Sequence, residues 1–348
     1  MSKSAMPGRN VTMQDVAGHA GVSMKSVSRV VNNEPSVSKK LRVKVEASIA
    51  ELNFKPNVHA RYMAKARSNL IGFPLPAVAS SFFYHILDTA IELCKGTTYN
   101  ILTYPMRRDE YHSSESIIGV LEQMRVSSNI EAILLPPPFS SDVKVTQWLE
   151  DNNVPFACVG QISEVKSLIH TTTNIESGMH AVTQYVIDLG HARIGYISGP
   201  EQLLAVAERK RGFFKALESN GIKPDPALIL KGDFQFPKAL VSAKTLLTLP
   251  ERPTAIICSN DITAFAVLQV ANQMGIKVPE DLSITGFDDI PEADMSMVPL
   301  TTVRQPVEEM TSIAVQTLLS YLQTGEVVKY ESMCTNHLVI RRSVAPVN

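Results

Sequence analysis

From Leu70 onward the chain repeats one pattern, a short apolar run followed by a longer amphipathic stretch, and this alternation limits the fold more than any other feature. The strand candidates are Leu70–Pro74, Tyr99–Tyr104, Ala132–Pro136, Phe156–Gly160, Leu168–Thr171, Arg193–Ser198, Leu228–Lys231, Ala255–Cys258 and Leu282–Phe287. Helical periodicity lies between them, over 82–96, 113–126, 142–152, 177–190, 203–220, 236–248, 261–275 and 306–323. Strands alternating with helices imply parallel sheets covered on both faces, an α/β class. So many strands are generous for one sheet and natural for two. Ligands in such sheets bind beyond the carboxyl ends of the strands, so two facing sheets predict a cleft between them. Asn260-Asp261 and Asp288-Asp289 each follow an expected strand. The acids there have two readings, ligand binding or helix N-capping.

Several function classes lack their signatures. No G-x-G-x-x-G, Walker A, G-x-S-x-G or H-E-x-x-H occurs, so catalysis has no motif to rest on. The eight histidines show no ligand spacing, and His191, in D-L-G-H, reads as structural. Cys94, Cys158, Cys258 and Cys334 form no C-x-x-C pair and read as small buried side chains in a reducing compartment. No metal and no cofactor is expected. Neither a signal-peptide core nor a run of about 18 apolar residues is present, which predicts a cytoplasmic protein without a membrane partner.

Net charge is −1 overall, but it is divided unevenly. Residues 1–67 hold twelve Lys/Arg against four acids, a net +8, which leaves the remainder at −9. A basic head on an acidic body is the footprint of a nucleic-acid binder. Thr12-Met-Gln-Asp15 spells a capping box opening a helix from Met13 to Ala20, with Val16, Ala17 and Ala20 on one face. Gly21-Val22 turns the chain, and Ser23 caps a second helix, Met24 to Val31, with Val27, Val30 and Val31 inward. Ser38 caps a third, to about Leu52, whose core face is Leu41, Val45, Ile49 and Leu52. This is a helix-turn-helix, whose second helix enters the major groove. Met24, Lys25 and Arg29 are the candidates for base contact, methionine by apolar contact and the cations toward guanine. Thr12, Ser23, Ser26, Ser28, Asn32 and Ser38 are candidates for backbone phosphate.

The run V-T-M-Q-D-V-A-G-H-A-G-V-S-M-K-S-V-S-R-V-V-N, followed by V-S-K-K-L-R-V-K-V-E-A-S-I-A-E-L-N-F-K-P-N, closely resembles the headpiece of the lactose-repressor family. The resemblance implies a hinge helix from Asn57 that orders on operator DNA. Asn57, Ala60, Arg61 and Met63 are its minor-groove candidates, with Met63 where the family usually wedges a leucine. It extends through D-L-G-H-A-R-I-G-Y-I-S-G-P at 188–200, S-N-D at 259–261, S-I-T-G-F-D-D at 283–289 and P-L-T-T-V-R-Q-P at 299–306.

The architecture so implied is an all-α helix-turn-helix headpiece joined by a hinge helix to an α/β, periplasmic-binding-protein-like (type I) sensor of two parallel-sheet subdomains. The expected boundaries are 1–56 for the headpiece, 57–68 for the hinge and 69–348 for the sensor. Within the sensor, an N-subdomain (about 69–169 and 303–333) and a C-subdomain (about 170–300 and 336–348) exchange chain near 170, 300 and 335. Carried over by position, Arg209, Asn260 and Asp288 would hold the effector's polar groups, while Phe83 and Phe234 would line the cleft. Gly160-Gln161 stands where many sugar-binding members carry an acid, and Thr173-Asn174 where Asp-Asn is frequent, so Gln161 and Thr173 become neutral replacements. The function implied is a DNA-binding repressor controlled by a small-molecule effector, a carbohydrate, with a nucleoside or purine as the alternative. A solute-binding protein sharing the sensor fold would not need the basic headpiece. Operator symmetry calls for a homodimer, and the C-terminus L-V-I-R-R-S-V-A-P-V-N carries no leucine heptad for a tetramer.

Overall fold

In a computed structural model of the chain, the structure describes residues 11–31, 36–54, 68–76, 81–107, 113–160, 169–326 and 330–347. The chain divides into two compact units, Met1–Ser68 and Asn69–Asn348.

The first unit holds α1 (Met13–Ala20), α2 (Met24–Val31) and α3 (Lys39–Glu51). The capping box is present in full. Asp15 N donates to Thr12 Oγ1 at 3.3 Å, and Thr12 N donates to Asp15 Oδ2 at 2.8 Å. Gly21 closes α1 at φ 55°, ψ 44°, a left-handed conformation that a Cβ disfavours. Val16, Ala17, Ala20, Val27, Val30, Val45 and Phe54 form the core, and burying a valine of this kind contributes about 1.5–3 kcal/mol. The expected face of α3 does pack on this core, with Ser48 added to it. On α3 the buried partners are Val45 and Ser48, while Leu41, Ile49 and Leu52 pack on the core from half-buried positions. Ser48 tolerates burial because its hydroxyl donates to Lys44 O at 3.2 Å and pairs with His19 Nδ1 at 3.1 Å.

The second unit has two parallel sheets. The first has the order β11-β5-β4-β3-β1-β2: Tyr330–Cys334, Ile169–Thr173, Phe156–Val159, Ala132–Leu135, Leu70–Pro76 and Asn100–Met106. The second has the order β7-β6-β8-β9: Ile229–Lys231, Ile194–Ser198, Ala255–Cys258 and Ser283–Thr285. Its helices are α4 (Ser81–Cys94), α5 (Ser114–Ser128), α6 (Val143–Asp151), α7 (Ile175–Asp188), α8 (Leu204–Ser219), α9 (Phe236–Leu247), α10 (Asp261–Gln273), α11 (Pro291–Met295) and α12 (Val307–Thr324).

The central strands are apolar throughout because both faces are covered. In β3, Ala132 and Leu134 pack with α4 and α12, while Ile133 and Leu135 pack with α5 and α6. In β8, Ile256 and Cys258 face α9 and α10, and Ala255 and Ile257 face α7 and α8. The four cysteines are free and buried.

The chain passes between the sheets at three places. The first is from β5 into α7; the second is through β10 (Thr302–Arg304) into α12; the third is from β11 to β12 (His337–Val339). β10 and β12 pair antiparallel as a two-stranded ribbon. Periodicity alone did not indicate α11, β10, β11 or β12, since three to five residues carry too little pattern. β5 also runs to Thr173, two residues beyond its expected end, because Met333 and Cys334 extend its ladder.

Candidate nucleic-acid interface and effector site

On α2, Met24 and Lys25 occupy the first turn and are exposed, with Met24 57% accessible. Val27 and Val30 anchor the opposite face in the core. Arg29 lies one turn after Lys25, and its Nη2 donates to Ser36 Oγ at 2.7 Å. That bond ties the end of α2 to the segment leading into α3. Several hydroxyls assigned to phosphate are also caps. Ser23 Oγ accepts from Ser26 N at 3.2 Å and sits 2.9 Å from Ser26 Oγ, and Ser38 Oγ accepts from Leu41 N at 3.3 Å. Thr12, Ser23 and Ser38 are exposed; Ser26 and Ser28 are half-buried. Asn32 lies outside the described residues, as do the hinge candidates Asn57, Ala60, Arg61 and Met63.

In the second unit the structure gathers Arg209, Phe234 and Asp288 at the carboxyl ends of β6, β8 and β9. Arg209, on α8, is almost fully buried. Its Nη2 donates to Asp288 Oδ1 at 2.8 Å and its Nη1 to Ser259 O at 2.6 Å. The guanidinium carbon stands 4.3 Å from the Phe287 ring centroid and 5.3 Å from that of Phe234. Burial of the cation is therefore balanced by a carboxylate, a carbonyl and two aromatic faces. Phe234 adopts φ 54°, and a Cβ on Gly199 would fall 2.5 Å from its ring, so only glycine lets the ring lie against this strand end.

Asp288 Oδ1 also accepts from Gln305 Nε2 at 2.7 Å, and its backbone N–H donates to Val303 O at 2.9 Å. Burial pushes the Asp288 carboxyl above its usual range, against the downward pull of Arg209 and Gln305. Asp288 and Asp289 take φ values of 114° and 57°. Two consecutive non-glycine residues there store strain on the order of 1–3 kcal/mol each. Surrounding bonds hold them in place. Asp261, fully buried at the start of α10, accepts from Ile290 N at 2.9 Å and Thr302 Oγ1 at 2.6 Å, while its own N–H donates to Phe287 O at 2.9 Å. Burial, with the nearby Asp288 charge, pushes the Asp261 carboxyl well above its usual value. Gly286 is the residue that admits this carboxyl, since a Cβ there would lie 2.0 Å from Asp261 Oδ1.

The remaining assignments differ. Asn260 is the N-cap of α10. Its Oδ1 accepts from Thr263 N at 3.0 Å and Thr263 Oγ1 at 2.6 Å, so its amide nitrogen is the group left to offer a ligand. The capping role considered for Asp261 and Asp289 thus belongs elsewhere: Asn260 caps α10, and Ile290 stands at the N-cap of α11. Phe83 packs edge-on to Phe82 at 5.4 Å and against the first sheet's core, and the structure gives no contact joining it to Arg209 or Asp288. Thr173 is buried within the first sheet, opposite Cys334. Gln161 lies outside the described residues. Sequence reasoning missed Phe287, Ser259 and Gln305. Phe287 and Gln305 sit in the G-F-D-D and R-Q-P runs, but only the fold shows that they touch Arg209 and Asp288. Among the described residues no group of three His, Cys, Asp or Glu side chains could hold a metal, and no helix is long and apolar enough to cross a membrane.

Residues 12–57 match the family description "Bacterial regulatory proteins, lacI family", and residues 183–344 match a "Periplasmic binding protein-like domain". The chain is 31% identical to the HTH-type transcriptional regulator DegA of Bacillus subtilis (strain 168), over 97% of this chain and 99% of that protein. The structure superposes on a Lac repressor dimer bound to operator and the anti-inducer ONPF with a TM-score of 0.84, at 27% identity. That match covers 97% of this chain and all of the other. A transcriptional regulator CelR–cellobiose complex matches with a TM-score of 0.69 and 26% identity, over 96% of this chain and all of the other. With a capped helix-turn-helix at one end, two parallel sheets crossed three times at the other, and a DegA-like sequence throughout, the chain belongs to the LacI family of DNA-binding transcriptional repressors.

Proposed function

We propose that this repressor's affinity for operator is set by a neutral, hydroxyl-rich effector, a carbohydrate, held at the Arg209–Asp288 pair. The observation that carries this reading is the charge balance of the site. Arg209 is already neutralised by Asp288 at 2.8 Å and enclosed by Phe287 and Phe234, so it has no unspent charge to attract an anion. A vicinal diol matches such a pair, donating to the carboxylate oxygen not engaged by Arg209 and Gln305, with an apolar ring face against Phe234. The amide nitrogen of Asn260 would add a donor, with Phe83, Thr173 and Gln161 as further candidates. Likeness to a regulator whose structure holds cellobiose supports the same class.

In this reading Met24, Lys25 and Arg29 contact bases. Thr12, Ser23, Ser26, Ser28, Asn32 and Ser38 meet phosphates, and Asn57, Ala60, Arg61 and Met63 serve the minor groove. A homodimer presents two heads to a pseudo-palindrome. Effector binding shifts the population competent for operator, with coupling of ~1–3 kcal/mol, or ~5- to 150-fold in affinity.

A thermal-shift panel of neutral sugars, sugar phosphates, nucleosides and purines, repeated with operator DNA, tests the proposal. A neutral sugar should raise the melting temperature and change operator affinity. A response confined to sugar phosphates would sink the charge argument, and one confined to nucleosides or purines would establish the alternative effector class.

A further inference from the structure

Asp289 neighbours the effector anchor but has no place in the ligand reading above. Its side chain is 3% exposed, and each carboxylate oxygen is taken by a different arginine: Oδ2 by Arg304 Nε at 2.6 Å and Oδ1 by Arg341 Nη1 at 2.6 Å. Arg304 ends β10, the second passage between the sheets, and Arg341 follows β12, the third. Arg341 also donates to Leu300 O at 2.9 Å and to Asp294 Oδ1 at 3.0 Å. The loop carrying Asp288 is thereby tied to both return strands of the ribbon. Asp288 N–H to Val303 O and Gly286 N–H to Thr301 O, at 2.9 and 3.0 Å, run alongside the ion pairs.

A buried carboxylate between two arginines is a poor device for stability, because desolvation offsets much of the attraction. It is a good device for direction, because charge-assisted bonds from two sides fix the orientation of the residue between them. The residue so fixed adjoins Asp288 in a strained, left-handed pair. We infer that Asp289 is a positioning residue: its two-arginine clamp sets the loop 286–290 against the crossover strands and keeps Asp288 aimed at Arg209 before any effector arrives. This rests on the reading of Arg209–Asp288 as the effector anchor. Occupancy of that anchor then pulls directly on two of the three crossovers.

Asp289→Asn in the full-length protein tests the clamp, with Arg304→Gln as a second variant should the first fail to fold; Arg304 is 56% exposed, so its loss disturbs the interior less. Amide exchange of peptides covering 286–290 and 302–305 should quicken about tenfold, with the strands 194–198 and 255–258 unchanged. Operator affinity without sugar should stay within about twofold. Affinity for whichever of ribose, glucose, galactose or cellobiose stabilises the wild type should fall about tenfold, a split that general destabilisation would not produce. Unchanged exchange at 286–290 overturns the clamp, and faster exchange with undiminished sugar affinity overturns the positioning role. If none of the four sugars binds the wild type, the carbohydrate reading falls separately. The exchange result then decides the clamp in either direction.

Discussion

Replacing Arg209 by methionine tests the energetics of the proposed effector site most directly. Methionine retains much of the volume between Phe234 and Phe287 but removes the charge, the bond to Asp288 and the bond to Ser259 O. Removing one member of a buried pair costs about 3–5 kcal/mol, because the other charge is left uncompensated. For a unit of this size, with an unfolding entropy near 0.6 kcal/mol/K, that is a fall in melting temperature of roughly 5–8 °C. The orphaned Asp288 can escape part of the penalty by taking up a proton. Burial already raises it above 3.8, and Arg209 is the strongest group pulling it back down. Without Arg209 its folded-state pKa rises further above the unfolded value. A raised acid contributes stability at low pH that is lost as pH climbs through the folded pKa. The variant should therefore suffer less at about pH 5 than at about pH 8. Trp148, the single tryptophan, packs on the first sheet's core, so its fluorescence follows unfolding of this unit and not of the headpiece. A loss below about 1 kcal/mol, or one equal at both pH values, would refute the reasoning.

Three further outcomes are expected. Arg29→Ala should weaken operator binding by roughly 1–3 kcal/mol and relax preference at one base pair, and an equal loss on random DNA would show that Arg29 touches only phosphate. Thr12→Ala removes the capping box and should destabilise the headpiece by about 1 kcal/mol, seen as lower helical melting by circular dichroism; an unchanged melt would mean that Asp15 and water replace the hydroxyl. His191 is buried between Thr254 Oγ1 and Ala345 O, each at 2.9 Å, and burial lowers its pKa below 6.5 despite the bond to Ala345. A depressed histidine contributes stability above its unfolded pKa that is lost as pH falls, so the wild type should lose more melting temperature than His191→Gln between about pH 7.5 and 5.5. Parallel curves would dismiss it.

The headpiece was legible almost to the residue because its signals are local. A capping box, a glycine turn and two serine caps specify where short helices begin and end within three or four positions. The same holds for the central strands of both sheets, where burial on two faces demands unbroken apolar runs such as Ala255–Cys258. Asn260 shows where local reading stops. As a polar residue at a strand end it looked like a ligand group, yet its oxygen is consumed by Thr263, three residues along.

By itself, the sequence determined the α/β alternation, the basic head, the helix caps and the polar residues at the strand ends, since each depends on neighbours a few positions away. Tertiary structure alone decided which of those residues meet. Arg209 reaches Asp288 across 79 positions of sequence, and Asp289 reaches Arg341 across 52. No periodicity records such distances; they exist because three crossovers fold the return strands back over the loop that follows β9. The charge balance at Arg209, the strain at Asp288 and the clamp on Asp289 all arise from that closure, as properties of packing and not of any one segment.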